Sequence, residues 1–217
     1  MTEKKYIEYI VDIKNRKIIG DFEKAYAKCN DIWPTQFLVD TPKHIITEDI
    51  LLKNKEENKV LDIGCGFGAY VNHLSKLGLN TYGCEISQTA IKKSEELFKT
   101  KLNLKLGNIL DGLPYKNNEF DSTICFGVLQ YMLNHIDSCV NELLRVTKNN
   151  GNIFISLSMN GNSIGSESLS GYNDFIKICS NKFYLNGAIE ILKNEDINSN
   201  YHKDKIRSDF FLWGIKK

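Results

Sequence analysis

Three closely spaced glycines and one acidic residue give the chain its clearest candidate for ligand chemistry. From Val60 to Ala69 the sequence reads VLDIGCGFGA, an apolar run that ends in an acid before the glycines begin. This order predicts a buried parallel strand, a tight turn and the N-terminus of a helix. Glycine lets a ligand approach the main chain closely, and the unpaired N–H groups of the helix start can face that ligand.

The residues around these glycines help to distinguish two classes of cofactor. Gly64, Gly66 and Ala69 fit the dinucleotide fingerprint G-x-G-x-x-G/A, which by itself is a weak signal. Asp62, however, lies two residues before the first glycine, where a pyrophosphate would meet a like charge. A cofactor that carries an ammonium group and a sulfonium would be attracted instead. We therefore expect such a cofactor to bind at Asp62, Gly64, Cys65 and Gly66.

A second acid, Glu85, ends the next predicted strand. It follows the glycine turn by about 20 residues, the spacing at which an acid can accept hydrogen bonds from both hydroxyls of a ribose. NAD-binding folds use the same contact. Glu85 therefore predicts a bound nucleoside without separating the two cofactor classes.

Later segments of the chain resemble one family. The glycine string resembles motif I of the class I S-adenosylmethionine (SAM)-dependent methyltransferases, FDSTICFGVLQY from Phe120 resembles the family's "FD…vLeh" block, and RVTKNNG from Arg145 resembles its "RvLkpGG" turn. The resemblance extends from about residue 60 to residue 157 with every block in the family's order. The chain departs from the family at Gln130-Tyr131, where Glu-His is usual, and at Asn149-Asn150, where Pro-Gly is usual.

This resemblance implies contacts to the adenine and to the sulfonium of SAM. In the family, an acid after the third strand binds the adenine amino group, and here Asn108 replaces it. The amide oxygen of Asn108 can accept the same hydrogen bond, and the N–H of Ile109 can reach a ring nitrogen. Leu110 and Ile86 would enclose the base, while the ring of Phe126 would favour the positive sulfur.

The implied reaction is an in-line displacement that leaves S-adenosylhomocysteine. Because the methyl group is already activated, the protein mainly aligns the reactants and removes water. A hydroxyl acceptor also needs a base near its proton. Tyr131 and His135 follow the fourth predicted strand, at the sheet edge where open α/β folds bind ligands, and are our catalytic candidates. An exposed loop position is the alternative for His135.

The alternation of strand and helix patterns predicts an α/β fold with a doubly wound, mostly parallel sheet. The resemblance implies seven strands in a Rossmann-like arrangement, with an antiparallel last strand inserted beside its neighbour. The predicted strands are residues 60–63, 81–85, 103–107, 119–126, 152–157, 188–192 and 210–215. Asn186-Gly187 is a competing hairpin signal that would shift the last boundaries. Residues 159–168, rich in Asn, Gly and Ser, predict a loop.

The chain divides into residues 1–58, predicted as a helical extension, and residues 59–217, predicted as the SAM-binding domain. In small methyltransferases such an extension often closes over the cofactor and shapes the acceptor pocket. Tyr26, Trp33 and His44 are candidates for that role, with core packing as the alternative for each.

Composition narrows the range of partners. The 217 residues are 42% hydrophobic and 25% charged, with a net charge of +1, so no whole-domain field attracts nucleic acid or an anionic membrane. The six cysteines are scattered without the spacing of a zinc site or a disulfide framework, and no metal is predicted. The N-terminal residues lack an apolar signal core, which predicts a cytoplasmic protein.

These observations together predict a SAM-dependent methyltransferase that acts on a small polar metabolite, at oxygen, with a sugar or sugar derivative as the first expectation. The alternatives are an N-methyltransferase of a small amine, a SAM-binding protein without turnover, and an NAD(P)-linked oxidoreductase.

Overall fold

The N-terminal part of the chain forms a small cap of helices and one short ribbon. The computed structural model describes residues 7–12, 14–15, 17–29, 41–53, 55, 58–159, 172–193 and 207–217. The elements before the main sheet are α1 (Ile7–Ile10), β1 (Val11–Asp12), β2 (Lys17–Ile18), α2 (Phe22–Lys28) and α3 (Pro42–Leu52). The antiparallel pair β1–β2 is an addition to the predicted helical extension. Strands of two residues show no periodicity that a sequence pattern can reveal.

The remaining elements alternate between strand and helix, as the sequence predicts. They are β3 (Lys59–Ile63), α4 (Ala69–Lys76), β4 (Asn80–Glu85), α5 (Gln88–Phe98), β5 (Leu104–Leu106), β6 (Phe120–Phe126), α6 (Ile136–Val146), β7 (Thr147–Met159), α7 (Tyr172–Lys182), β8 (Phe183–Lys193) and β9 (Arg207–Lys216). Two short 3₁₀ turns, Leu129–Tyr131 and Leu133–His135, connect β6 to α6. No described helix has the length and apolar composition needed to cross a membrane.

The seven strands β3 to β9 form one sheet in the order β5-β4-β3-β6-β7-β9-β8. The first five strands of this order are parallel, and β9 is antiparallel to both β7 and β8. This topology confirms the predicted Rossmann-like sheet with its inserted antiparallel strand. The carboxyl ends of β3, β4, β6 and β7 therefore meet at one edge of the sheet, and the start of β9 reaches the same edge.

The central strands are apolar on both faces because helices cover both sides of the sheet. Consecutive residues of β3 belong to different apolar clusters: Val60 to the one that contains Leu74 of α4, and Leu61 to the one that contains Leu143 of α6. All four side chains are at most 1% exposed. This burial fixes the register of β3 and, with it, the position of the loop that follows.

Two predicted helix boundaries are observed, and a third differs in detail. Gly78 follows α4 with φ of 86°, and Ser87 caps α5 by accepting a hydrogen bond from the N–H of Ala90 at 3.1 Å. Thr41 precedes α3 as predicted, with Pro42 as its first residue. The Thr41 hydroxyl, however, contacts Nδ1 of His44 at 2.5 Å instead of capping the backbone.

The hairpin alternative at Asn186-Gly187 is wrong. Both residues lie inside β8, which begins at Phe183, and the pairing register shifts between Leu185 and Gly187. A Cβ at Gly187 would lie 2.3 Å from the Trp213 ring, so the glycine allows close packing against β9. Of the predicted loop at 159–168, Met159 is instead the last residue of β7; the rest of that loop and Trp33 lie outside the described residues.

Candidate active site

A cleft of about 340 Å³ lies at the sheet edge where the parallel strands end. The glycine loop after β3, the end of β4 and the turns after β5 and β6 form one side. Residues of α2 and α3 cover it, and the start of β9 closes the far end. The cleft therefore lies where open α/β sheets bind their ligands.

The glycine loop leaves room for a ligand only because it has no side chains at two positions. Gly64 and Gly66 have φ of 71° and 57°, which disfavour any residue with a Cβ. A Cβ at Gly64 would lie 2.2 Å from Val128, and one at Gly66 would lie 2.9 Å from the Tyr26 hydroxyl. The N–H groups of Gly64 and Cys65 donate to the carbonyl of Cys84 at 2.8 and 3.1 Å, which fixes the loop to the end of β4.

The carboxyl group of Asp62 is buried in this wall at 6% exposure. Burial, assisted by the nearby charge of Glu85, raises the pKa of Asp62 to about 8. No residue in the described part of the chain donates a hydrogen bond to this carboxyl group. A buried carboxyl group without a partner is costly, so it is a candidate contact for a cationic ligand.

Glu85 is buried to a similar degree but is firmly oriented. Its two oxygens accept hydrogen bonds from the N–H of Gly66 at 2.9 Å and the N–H of Ser87 at 3.0 Å. Burial raises the pKa of Glu85, and these backbone hydrogen bonds oppose the rise. The carboxylate is thus held between the glycine loop and the start of α5, where a ribose over the loop would lie.

The predicted adenine wall is formed in part. Ile86, Asn108 and Ile109 line the cleft, but Leu110 does not; its side chain is 43% exposed, and Leu113 lines the wall instead. The side-chain oxygen of Asn108 accepts a hydrogen bond from the N–H of Leu110 at 3.1 Å. An amide oxygen has a second lone pair, so the predicted contact to adenine remains available.

Beyond the glycine loop, the cleft wall is aromatic. The Phe126 ring lies 5.6 Å from the ring of His44 and 6.0 Å from the ring of Tyr70. The ammonium group of Lys43 lies 5.2 Å from the centre of the same Phe126 ring. An aromatic face at this position can contact a sulfonium, as the sequence predicts.

The two predicted catalytic residues have different locations. Tyr131 lines the cleft, with its ring edge against Phe22 at 5.2 Å. His135 is exposed, does not line the cleft, and directly precedes α6. The 3₁₀ turns after β6 carry the chain from the sheet edge to the surface within a few residues, which separates the two side chains.

The far end of the cleft contains polar side chains that local sequence patterns do not reveal. They are Lys43, His44, Gln130, Ser156, Ser158 and Asp209. His44 was a candidate from the sequence, and Lys43 and Asp209 were not. Asp209 comes from the first residues of β9, 147 positions after Asp62 (209 − 62), and reaches the cleft only because β9 is antiparallel. The sequence signal that could have found Asp209 is an acid at the start of the predicted antiparallel last strand.

Comparisons with known proteins agree with this geometry. Residues 61–155 match the family model of a methyltransferase domain. The match, the sheet order and the glycine loop with its two acids support a class I SAM-dependent methyltransferase, as the sequence predicts. The cofactor of this family is SAM, and the residues around the glycine loop fit it.

Curated relatives match part of the chain. Uncharacterized protein MJ0638 of Methanocaldococcus jannaschii is 38% identical over 145 residues, which cover 64% of this chain and 59% of that protein. The 18S rRNA (guanine-N(7))-methyltransferase bud23 of Schizosaccharomyces pombe is 25% identical, with 52% of this chain and 42% of that protein covered. The chain thus spans about half the length of these curated relatives.

Solved structures share the fold at low identity. PH0226 of Pyrococcus horikoshii has a TM-score of 0.61 at 16% identity and covers 86% of this chain and 97% of that chain. Phospholethanolamine N-methyltransferase 2 of Haemonchus contortus, in complex with phosphomonomethylethanolamine and S-adenosylhomocysteine, has a TM-score of 0.64 at 15% identity, with 90% and 58% covered. At these identities the structures support the fold alone.

Proposed function

We propose that the chain transfers the methyl group of SAM to an oxygen atom of a small polar acceptor. The observation that carries this proposal is the buried carboxyl group of Asp62, to which no described residue donates a hydrogen bond, beside the oriented carboxylate of Glu85. A dinucleotide would bring its pyrophosphate toward Asp62 and would oppose the ionisation of that carboxyl group. SAM would instead bring the ammonium group of its amino-acid part to Asp62 and the ribose of its adenosine to Glu85.

The chain's own residues align the two reactants and exclude water. SAM supplies an electrophilic methyl group, which needs no further activation. The glycine loop and Glu85 hold the nucleoside, while Phe126 lies at the junction between the cofactor end and the polar end of the cleft. Because Tyr26 and Phe22 of α2 cover the cleft, the reaction takes place away from bulk water.

The far end of the cleft favours a small acceptor with several polar groups. A volume of about 340 Å³ is near the lower limit for ligand pockets, and the cofactor occupies part of it. The polar groups there are of both charge signs, which suits hydroxyl-rich molecules. Some relatives act on rRNA, but the net charge of +1 gives no general attraction for a polyanion. We therefore favour a sugar or sugar derivative.

A hydroxyl acceptor has to lose its proton, and His44 is the best-placed group to receive it. The imidazole lines the cleft at 4% exposure and lies against the Phe126 ring. When Nδ1 carries the proton in its contact with Thr41, Nε2 is the ring nitrogen that can accept one; Nε2 is itself buried, so the side chains around it have to move before a hydroxyl can reach it. Tyr131 is the second candidate, whereas the position of His135 outside the cleft does not support the role predicted for it.

N-methylation is the second candidate function, and Asp209 favours it. Its carboxyl group is 7% exposed at the acceptor end, where it can bind an ammonium group. Relatives include both kinds of enzyme: norajmaline N-methyltransferase of Rauvolfia serpentina at 28% identity and tocopherol O-methyltransferase of Arabidopsis thaliana at 30%. A neutral amine needs no strong base, so His44 would then be dispensable.

Two experiments, performed one after the other, test this function. Calorimetry with SAM, S-adenosylhomocysteine and NAD should show binding of the first two only, and binding of NAD alone would refute the cofactor. Protein incubated with SAM that carries a radiolabelled methyl group is then offered sugars, nucleotides and amines. Label in a sugar supports O-methylation, label in an amine supports the second candidate, and binding without any transfer indicates a SAM-binding protein.

A further inference from the structure

Helix α2 is attached to the core by a carboxylate that caps a different helix. The side chain of Glu23 accepts hydrogen bonds from the hydroxyl of Ser87 at 2.6 Å, from the N–H of Thr89 at 3.2 Å, and from the hydroxyl of Thr89. Ser87 and Thr89 lie at the start of α5, whose own cap is the Ser87 oxygen. Glu23 therefore adds a second cap to α5 from outside that helix.

This position is electrostatically favourable for a carboxylate. The N-terminus of α5 carries partial positive charge from its unpaired N–H groups. The hydrogen bonds from Ser87 and then Thr89 lower the pKa of Glu23, so the side chain is ionised throughout the neutral range. Charge-assisted hydrogen bonds of this kind are stronger than neutral ones.

Among the described residues, α2 is also held by a further hydrogen bond to α5 and by apolar packing. Lys93 of α5 donates a hydrogen bond to the carbonyl of Tyr26 at 2.7 Å. Ala25 and Tyr26 pack in a small apolar cluster whose other buried members are Ile10, Phe67 and Ala90. These contacts and the hydrogen bonds of Glu23 connect α2 to α5 and to the glycine loop.

Helix α2 covers the part of the cleft that the cofactor is proposed to occupy. Tyr26 and Phe22 both line the cleft. The Tyr26 hydroxyl lies 2.9 Å from the position that a Cβ on Gly66 would take, and its ring packs at 4.9 Å against Phe67 of the same loop. A ligand on the glycine loop is therefore enclosed by α2.

We propose that Glu23 is a positioning residue that holds α2 over the bound cofactor and thereby limits the rate at which S-adenosylhomocysteine leaves. The proposal rests on the proposed function, because it takes the ligand on the glycine loop to be SAM or its product. Glu23 acts through Tyr26 and Phe22 and does not itself line the cleft.

The test is the dissociation rate of S-adenosylhomocysteine from the full chain, measured by rapid mixing with excess competing SAM. Glu23→Ala should release the product roughly tenfold faster, the effect expected when charge-assisted hydrogen bonds are lost. Glu23→Gln should fall between this variant and the wild type, because it keeps one acceptor oxygen without the charge. Lys28→Ala, which removes an exposed charge from the same helix, is the matched control and should change the rate less than twofold.

Two further measurements separate positioning from general loss of stability. In a protein that already carries Tyr26→Ala, Glu23→Ala should not speed the release of S-adenosylhomocysteine further. Fully additive effects of the two substitutions on this rate would overturn the proposal. Without ligand, the amides of α2 should exchange hydrogen faster in Glu23→Ala while those of β3 do not. Unchanged hydrogen exchange in α2 would show that Glu23 does not attach this helix to the core. A wild-type protein that binds neither SAM nor S-adenosylhomocysteine refutes the proposed function, whereas binding with unchanged release refutes only the role of Glu23.

Discussion

Replacing Asp62 with asparagine should stabilise the free protein and weaken its binding of SAM. Burial raises the pKa of Asp62 from its ordinary value of 3.8 to about 8. Between these values the folded protein keeps a proton that the unfolded chain releases. The free energy of unfolding therefore falls by about 1.4 kcal/mol for each pH unit as the pH rises through this window.

The size of the effect follows from this window. At pH 7 the protonation of Asp62 costs the fold about 4 kcal/mol, since 7 lies roughly three units above the unfolded pKa. Asparagine removes that cost, but burying its amide lowers the free energy of unfolding by about 1–3 kcal/mol. We expect Asp62→Asn to be more stable by about 1–3 kcal/mol at pH 7. It should show no gain at pH 4, where the cost of protonating Asp62 on folding has fallen to about 0.5 kcal/mol, less than the cost of burying an amide.

Ligand binding should change in the opposite direction. An ammonium group stabilises ionised Asp62, so SAM binding at pH 7 should release up to one proton from the wild-type carboxyl group and should strengthen as the pH rises toward 8. Asp62→Asn cannot release that proton and lacks the charge-assisted hydrogen bond, which predicts a loss in affinity of roughly 10- to 100-fold.

Urea unfolding at pH 4 and pH 7 measures the first effect, and calorimetry in two buffers of different ionisation enthalpy counts the protons. Asp49→Asn is the control, because Asp49 forms only an exposed ion pair with Lys53. A variant that is less stable than wild type at pH 7 and binds SAM normally would refute the reasoning about Asp62.

Three further predictions concern single side chains of the cleft. Glu85→Ala should weaken SAM binding by about 1–3 kcal/mol in calorimetry, through lost hydrogen bonds to the ribose; unchanged affinity would refute the ribose contact. Gly64→Ala should lower the melting temperature and abolish SAM binding, because its Cβ would lie 2.2 Å from Val128 at a φ of 71°; a stable variant that binds SAM would show that the loop tolerates a side chain. His44→Gln should reduce kcat by roughly 100-fold with SAM affinity retained, and full turnover of a hydroxyl acceptor would exclude it as the base.

The cofactor half of the cleft was predictable because its signals are local in sequence. The glycine loop, Asp62 and Glu85 lie within 24 consecutive residues (62–85), and two neighbouring parallel strands bring them together.

Asn150, in the place of a usual glycine, adopts φ of 62°, a conformation that asparagine tolerates better than most residues. That substitution therefore has little effect on the fold.

The far end of the cleft, where the acceptor is proposed to bind, was not predictable from local patterns. Lys43 and His44 reach it from α3, and Asp209 reaches it from β9 at the opposite end of the chain. No periodicity or spacing links these segments, so only the tertiary packing places them in one wall. The location of His135 illustrates the reverse case, because its position after β6 predicts the sheet edge while the intervening 3₁₀ turns move it to the surface.

The antiparallel insertion of β9 has a consequence for how substrate preference can change. Asp209 lies directly across from Ser158 of β7, and both side chains line the cleft. Ladders on both sides of β9 fix this pairing, so neither side chain can shift along its strand to suit a new substrate. Diversification of this wall, whether by natural drift or by a designed library, should therefore proceed through matched exchanges at 158 and 209 together.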